Sequence, residues 1–236
     1  TDFQQEGMVR VAMHELTHAL GFSGVLYTSY LDASGLLYGF PTFEEVAEGT
    51  SPAENRYQQT LAFLKTPHLV QVIQENLRCN DLWGVQLEES GGSGTAGSHW
   101  EARFVNDEYM AGFITDTMPV SMLTLALFED MGWYSVDYSG AEYWVWGRDE
   151  ECDFLMRRCE ADNAWKDKPG YWCDESTSDR RQCTPDRLGK GTCYFSTSLS
   201  LPGAYYEHFS NPFHGGTNSA ADFCPFYAAI NDLGDT

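Results

Sequence analysis

The sequence predicts an α+β chain in two parts: a mainly helical part over residues 1–150, then a cysteine-rich, loop-rich part over residues 151–236. Three observations carry that reading. Before residue 150, apolar residues recur at helical spacing between start and stop signals. Val85-Gln86-Leu87-Glu88 alternates as a short strand does. Six of the seven cysteines follow residue 150, where Cys, Pro, Gly, Asp and Ser displace the periodic pattern.

Taken in order, Met8, Ala12, Leu16 and Ala19 make one helical stripe over Met8 to Leu20, and Gly21 stops it. A loop with Gly24, Gly35, Gly39 and Pro41 follows. Ser51-Pro52-Ala53-Glu54 is a capping box with Pro at the first helical position, which predicts a helix through about Leu64. Thr66-Pro67 repeats the signal, and Leu69, Val70, Ile73 and Leu77 supply the apolar face of a helix ending near Cys79. Gly91 to Ser98 is rich in Gly, Ser and Thr. Pro119 to Met131 predicts a third helix through Met122, Leu125, Ala126 and Glu129, closed by Gly132.

The chain has 236 residues, 42% apolar and 21% charged, enough to bury a core. Fourteen basic residues against 35 acidic ones give a formal charge of −21. That argues against nucleic acid or an anionic membrane face as a partner, since both need a basic patch. No run approaches the roughly 18–20 apolar residues of a membrane span. No signal peptide and no Asn-x-Ser/Thr sequon is visible, and the first residue is Thr1. Cys152, Cys159, Cys173, Cys183, Cys193 and Cys224 contain no CxxC pair, so they read as a disulfide framework from an oxidising compartment. An odd count leaves at least one thiol without a partner in this chain. No DxDxDG loop for calcium is present.

The first helix carries His14-Glu15-Leu16-Thr17-His18. Histidines at i and i+4 lie one turn apart on one face, where two ring nitrogens can bind one Zn²⁺ at about 2.0–2.1 Å. Zinc lowers the pKa of a bound water toward about 7, and Glu15 beside that face is placed to take its proton. The motif alone is weak, because HExxH also occurs on surface helices with solvated histidines. A catalytic zinc takes three protein ligands, so a third must come from His68, His99, His208 or His214. His99 follows the Gly-rich stretch. That stretch reads either as a linker or as backbone passing close to a metal; no GK[ST] follows it to make a phosphate loop.

Four segments in order, HELTHALGF, GGSGTAGSHWE, NDEYMAG and LTLALFEDMGWY, resemble leishmanolysin and the leishmanolysin-like (invadolysin) peptidases, within the metzincin zinc proteases. The resemblance implies a zinc metalloendopeptidase, with Zn²⁺ as cofactor and proteins or peptides as substrates. It implies His14, His18 and His99 as zinc ligands, Glu15 as general base, and Met110 as the floor of the Met-turn. Residues 22–98 correspond to the family's long insertion between the helix glycine and the third His. Gly112 stands where some other metzincins place a Tyr on the metal, so no such contact is expected. The resemblance further implies that the N-terminal sheet subdomain lies outside this chain as a partner from the same protein, and that the C-terminal domain is incomplete here. It implies the pairs Cys79–Cys152, Cys159–Cys224 and Cys173–Cys193, with Cys183 unpaired within the chain. An extracellular or cell-surface location, with surface or membrane assembly, follows from the same likeness. The alternative is a non-enzymatic surface or scaffold protein on a retained fold. Intact His14, Glu15, His18 and His99 favour the enzyme.

Overall fold

The computed structural model describes residues 2–46, 60–115, 117–156, 158–159 and 171–229. Helix α1 (Asp2–Leu20) begins six residues before the apolar stripe that predicts it. That stripe is exposed: Met8 is 65% and Leu16 60% accessible. The helix faces the body with Met13, His14, Thr17 and His18 instead. The Arg10 guanidinium grips the Glu142 carboxylate, which also accepts from Val120 N. Gly21 ends the helix at φ +148°, and a Cβ there would lie 2.6 Å from Met131 Sδ. Only glycine allows both the turn and that approach.

Strands β1 (Phe43–Val46), β2 (Leu61–Leu64) and β3 (Val85–Leu87) form an antiparallel sheet with β2 in the middle. The helix expected through Leu64 is therefore corrected over Leu61–Leu64; its capping box at Ser51–Glu54 lies outside the described residues. Leu61, Phe63 and Leu64 are buried, and Leu64 pairs with Phe43 on one side and Val85 on the other. Burial between two strands overrides a start signal that acts only on its own first turn.

Helix α2 (Pro67–Leu77) buries Leu69, Ile73 and Leu77 as the periodicity predicts. Its first turn is capped from outside. Asp130 accepts from Leu69 N at 2.9 Å, His68 N at 3.2 Å and His68 Nδ1 at 2.7 Å. A carboxylate at a helix N-terminus satisfies orphan N–H groups and opposes the dipole. The short α3 (Ala102–Val105) follows, then α4 (Met122–Asp130), which packs on α2 and ends in Asp130. α4 starts at Met122 rather than Pro119 because Ser121 is its N-cap, accepting from Leu123 N and Thr124 N.

Beyond α5 (Asp153–Met156), regular structure is sparse. Strands β4 (Gln182–Cys183), β5 (Lys190–Cys193) and β8 (Tyr227–Ala229) form one small sheet; β6 (Phe195–Ser196) and β7 (Gly215–Gly216) pair separately. Disulfides join Cys79 to Cys152, Cys159 to Cys224 and Cys173 to Cys193, while the Cys183 thiol is free and exposed. One apolar core runs from Phe22 and Tyr27 through Trp100 and Trp146 to Phe226, so it crosses residue 150. Trp146 is fully buried, meets Phe154, Tyr171, Trp172 and Phe226 edge to face, and donates to Arg103 O.

Gly132 stops α4 at φ +70°, and a Cβ there would overlap the Leu31 carbonyl oxygen. Gly132→Ala is expected to destabilise the fold by at least about 2 kcal/mol, through positive φ and a backbone clash together. Urea denaturation measures it, and a midpoint equal to wild type contradicts the assigned packing.

Candidate metal centre

The last two turns of α1 carry His14 and His18 on the side facing the body, and the turn at Gly21 brings Phe22 O back under His18. His99 arrives from the Gly-rich stretch. That stretch folds as a 3-10 turn over Gly92–Gly94 and is pinned by Gly97 N on Glu88 O and by Tyr27 OH on Gly97 O. Trp100 is bridged to Leu87 on one side and to Ala111 on the other. Residues 99–100 therefore continue the sheet and sit between β3 and the Met110 segment.

The structure brings three ring nitrogens together. His14 Nε2 is 2.9 Å from His99 Nε2 and 3.1 Å from His18 Nε2, and His18 Nε2 is 3.2 Å from His99 Nε2. Each opposite nitrogen meets a backbone carbonyl: His14 Nδ1 on Tyr109 O at 2.6 Å, His18 Nδ1 on Phe22 O at 2.9 Å, His99 Nδ1 on Thr95 O at 2.9 Å. A carbonyl can only accept, so each Nδ1 carries the proton and, in the neutral ring, each Nε2 is a bare lone pair. Three lone pairs face one another with no proton to share, an arrangement that a cation relieves. Two nitrogens bound tetrahedrally at about 2.0–2.1 Å lie about 3.3 Å apart, close to the spacing found here. Burial lowers the pKa of His14, and it lowers His99 to about 4, which keeps those two rings neutral and ready to donate. The residues present fit a metal of the zinc type.

Glu15 is exposed on the same turn of α1, and its charge is felt by both His14 and His99. Met110 is fully buried. Its carbonyl accepts from Trp100 N at 2.9 Å, and Tyr109 beside it supplies the carbonyl that orients His14. Thr17, inside the His motif, donates to Met13 O at 2.9 Å and so receives the Tyr109 hydroxyl proton at 3.0 Å. The other histidines lie elsewhere. His68 is on Asp130, His208 Nε2 donates to Asp222 O at 2.7 Å, and His214 Nε2 is 2.9 Å from Asn211 Nδ2.

Three residues of the site escaped the sequence reading: Thr17, Glu108 and Tyr109. Glu108 is fully buried and accepts from Met110 N at 2.7 Å, Ser121 Oγ at 2.9 Å and Thr124 Oγ1 at 2.6 Å. Thr124 Oγ1 in turn accepts from Trp100 Nε1 at 2.9 Å. One carboxyl thus ties the Met110 turn, the N-cap of α4 and the residue after His99. Burial pushes its pKa up to about 7 despite these donors. The adjacency Glu108-Tyr109-Met110 was the available signal; nothing in it says which of the three is buried.

The leishmanolysin family profile matches residues 2–234. The chain belongs to the leishmanolysin family. It is 36% identical to a leishmanolysin homolog of Crithidia fasciculata over 220 residues, covering 93% of this chain and 31% of that protein. It is 33% identical over 226 residues to leishmanolysin of Leishmania donovani, covering 95% and 35%. A leishmanolysin-like peptidase of Drosophila melanogaster is 31% identical over 256 residues, covering 93% and 38%. The chain spans about a third of the length of these leishmanolysin relatives. Like other disulfide-bonded chains, it suits an oxidising compartment. Among the described residues, no helix is long and apolar enough to cross a membrane.

Glu108→Ala is expected to destabilise this chain by about 2–4 kcal/mol, because buried donors at Met110, Ser121 and Thr124 lose their acceptor. A denaturant titration gives the number. An unshifted midpoint would remove Glu108 from the role of tie.

Proposed function

We propose that this chain carries the metal-binding part of a zinc metalloendopeptidase that cleaves proteins or peptides. The observation that carries the reading is the convergence of three Nε2 atoms whose Nδ1 protons are all held on carbonyls. His14, His18 and His99 hold the ion through Nε2. Bound there, zinc would supply Lewis acidity to polarise a carbonyl and acidify a water. Glu15 takes the proton of the attacking water and delivers it to the leaving amine nitrogen. Tyr109 O, Phe22 O and Thr95 O orient the three rings, so the donor set is fixed before metal arrives. Met110 closes the floor as a buried apolar side chain, not as a ligand.

Residues 1–150 form the zinc-helix and Met-turn part, with 22–98 as an insertion, and residues 151–236 a cysteine-rich C-terminal part. The activity is proposed for the whole protein, of which relatives have about three times this length. Secretion to the exterior or the cell surface fits the disulfides.

The full-length protein tests the reading. Glu15→Ala is expected to keep its zinc and to lose cleavage of a denatured protein by at least about 10²-fold, since the ligands stay and the base goes. Cleavage at the wild-type rate would defeat the mechanism. His99→Ala is expected to lower bound zinc measured by elemental analysis. Full zinc occupancy in that variant takes His99 out of the donor set.

A further inference from the structure

A second group of ligating side chains lies outside the histidine triangle. Glu89, just past β3, Glu101, the N-cap of α3, and Asp222, far along the tail, each bring a carboxylate oxygen within 4.8 Å of the others. Glu101 and Asp222 are 0% and 1% accessible. Arg103 offsets one of these charges through Asp222. Tyr205 OH donates to Asp222 Oδ2 at 2.8 Å, and Gln86 Nε2 to Glu89 Oε2 at 3.0 Å.

Clustering alone does not make a site; unpartnered atoms do. Glu101 Oε1 accepts from Arg103 N at 3.0 Å, but Glu101 Oε2 is buried with no hydrogen-bond partner among the described residues. The same holds for Glu89 Oε1 and for Oε1 of Gln86, which is fully buried. Acceptor oxygens in a dry interior cost heavily when nothing donates to them. Glu89 and Asp222 also stand within hydrogen-bond reach of each other, two acceptors that need a cation or a shared proton between them.

We propose that Glu89, Glu101 and Asp222 form a structural site for a calcium ion. The donor set is all oxygen, which selects a hard cation over zinc. Oxygens bound to one calcium at about 2.4 Å lie no more than about 4.8 Å apart, a limit these three carboxylates meet. The three carboxylates supply at least three of the six to eight oxygen ligands calcium takes. The ion joins the end of β3, the start of α3 two residues past His99, and the tail at Asp222. The cysteine–histidine group nearby, Cys159, His208 and Cys224, offers no competing site, since its two sulfurs are bonded to each other.

The test uses the full-length protein dialysed against metal-free buffer. Elemental analysis is expected to find one calcium per chain beside the metal of the histidine site. Asp222 sits at φ +53°, a left-handed conformation that Asn also tolerates, and Asp222→Asn is expected to lose that calcium and retain the zinc. In the wild type, stripping with EGTA and refilling with zinc alone is expected to leave Tm lower by about 5 °C or more, until calcium is added back. The wild-type arm stands even if the variant fails to fold. Absence of calcium together with full recovery of Tm by zinc alone overturns the proposal; the carboxyl groups would then be sharing protons. Loss of the histidine-bound metal alone bears on the peptidase reading and leaves this one intact.

Discussion

Each of the three site histidines spends its Nδ1 proton on a backbone carbonyl, and the three carbonyls come from different parts of the chain. Phe22 O requires α1 to stop and turn at Gly21. Thr95 O requires the Gly-rich stretch to fold back on itself after β3. Tyr109 O requires the Met110 turn to lie against α1. Side-chain carbonyls or waters could orient an imidazole, but each brings torsional freedom that a packed main chain lacks. Precision at the Nε2 triangle is therefore inherited from backbone positions, and those positions depend on the core beneath them.

Glu108 and Trp100 link that core to the triangle. Trp100 N donates to Met110 O while its indole N–H reaches Thr124, whose hydroxyl reaches Glu108. Glu108 then returns to Met110 N. This closed circuit fixes the residue after His99 and the residue after Tyr109 relative to α4. The Cys79–Cys152 bridge encloses both, across a sequence separation of 73. Such a bridge restricts the unfolded chain by about 2–5 kcal/mol, and here the restricted loop is the one that carries the third histidine.

Legibility followed the range of the interactions involved. The i, i+4 spacing of His14 and His18 and the stop at Gly21 act within one or two turns, and the residues state them openly. The same is true of α2, where Thr66-Pro67 and a spaced apolar face sit side by side. Leu61–Leu64 misled because its capping signal is local while its two strand partners, at Phe43–Val46 and Val85–Leu87, are not. Helices of four residues, α3 and α5, are too short for periodicity to register. The stripe on α1 was correctly periodic, yet its exposure shows that periodicity names a face without naming what covers it. Glu101 was read only as part of a motif, because its neighbours Glu89 and Asp222 are gathered by folding alone.

His14 and His99 stand 85 residues apart in the chain. Contacts of that separation are slow to form, because the intervening chain must be ordered before they repay its entropy. β2 must find β3, and the Gly-rich turn must close, before His99 can face α1. The triangle thus depends on contacts between parts distant in sequence. Without those contacts His14 and His18 are only an i, i+4 pair on a helix. An ion that needs all three Nε2 atoms therefore needs the finished interior, not the helix alone.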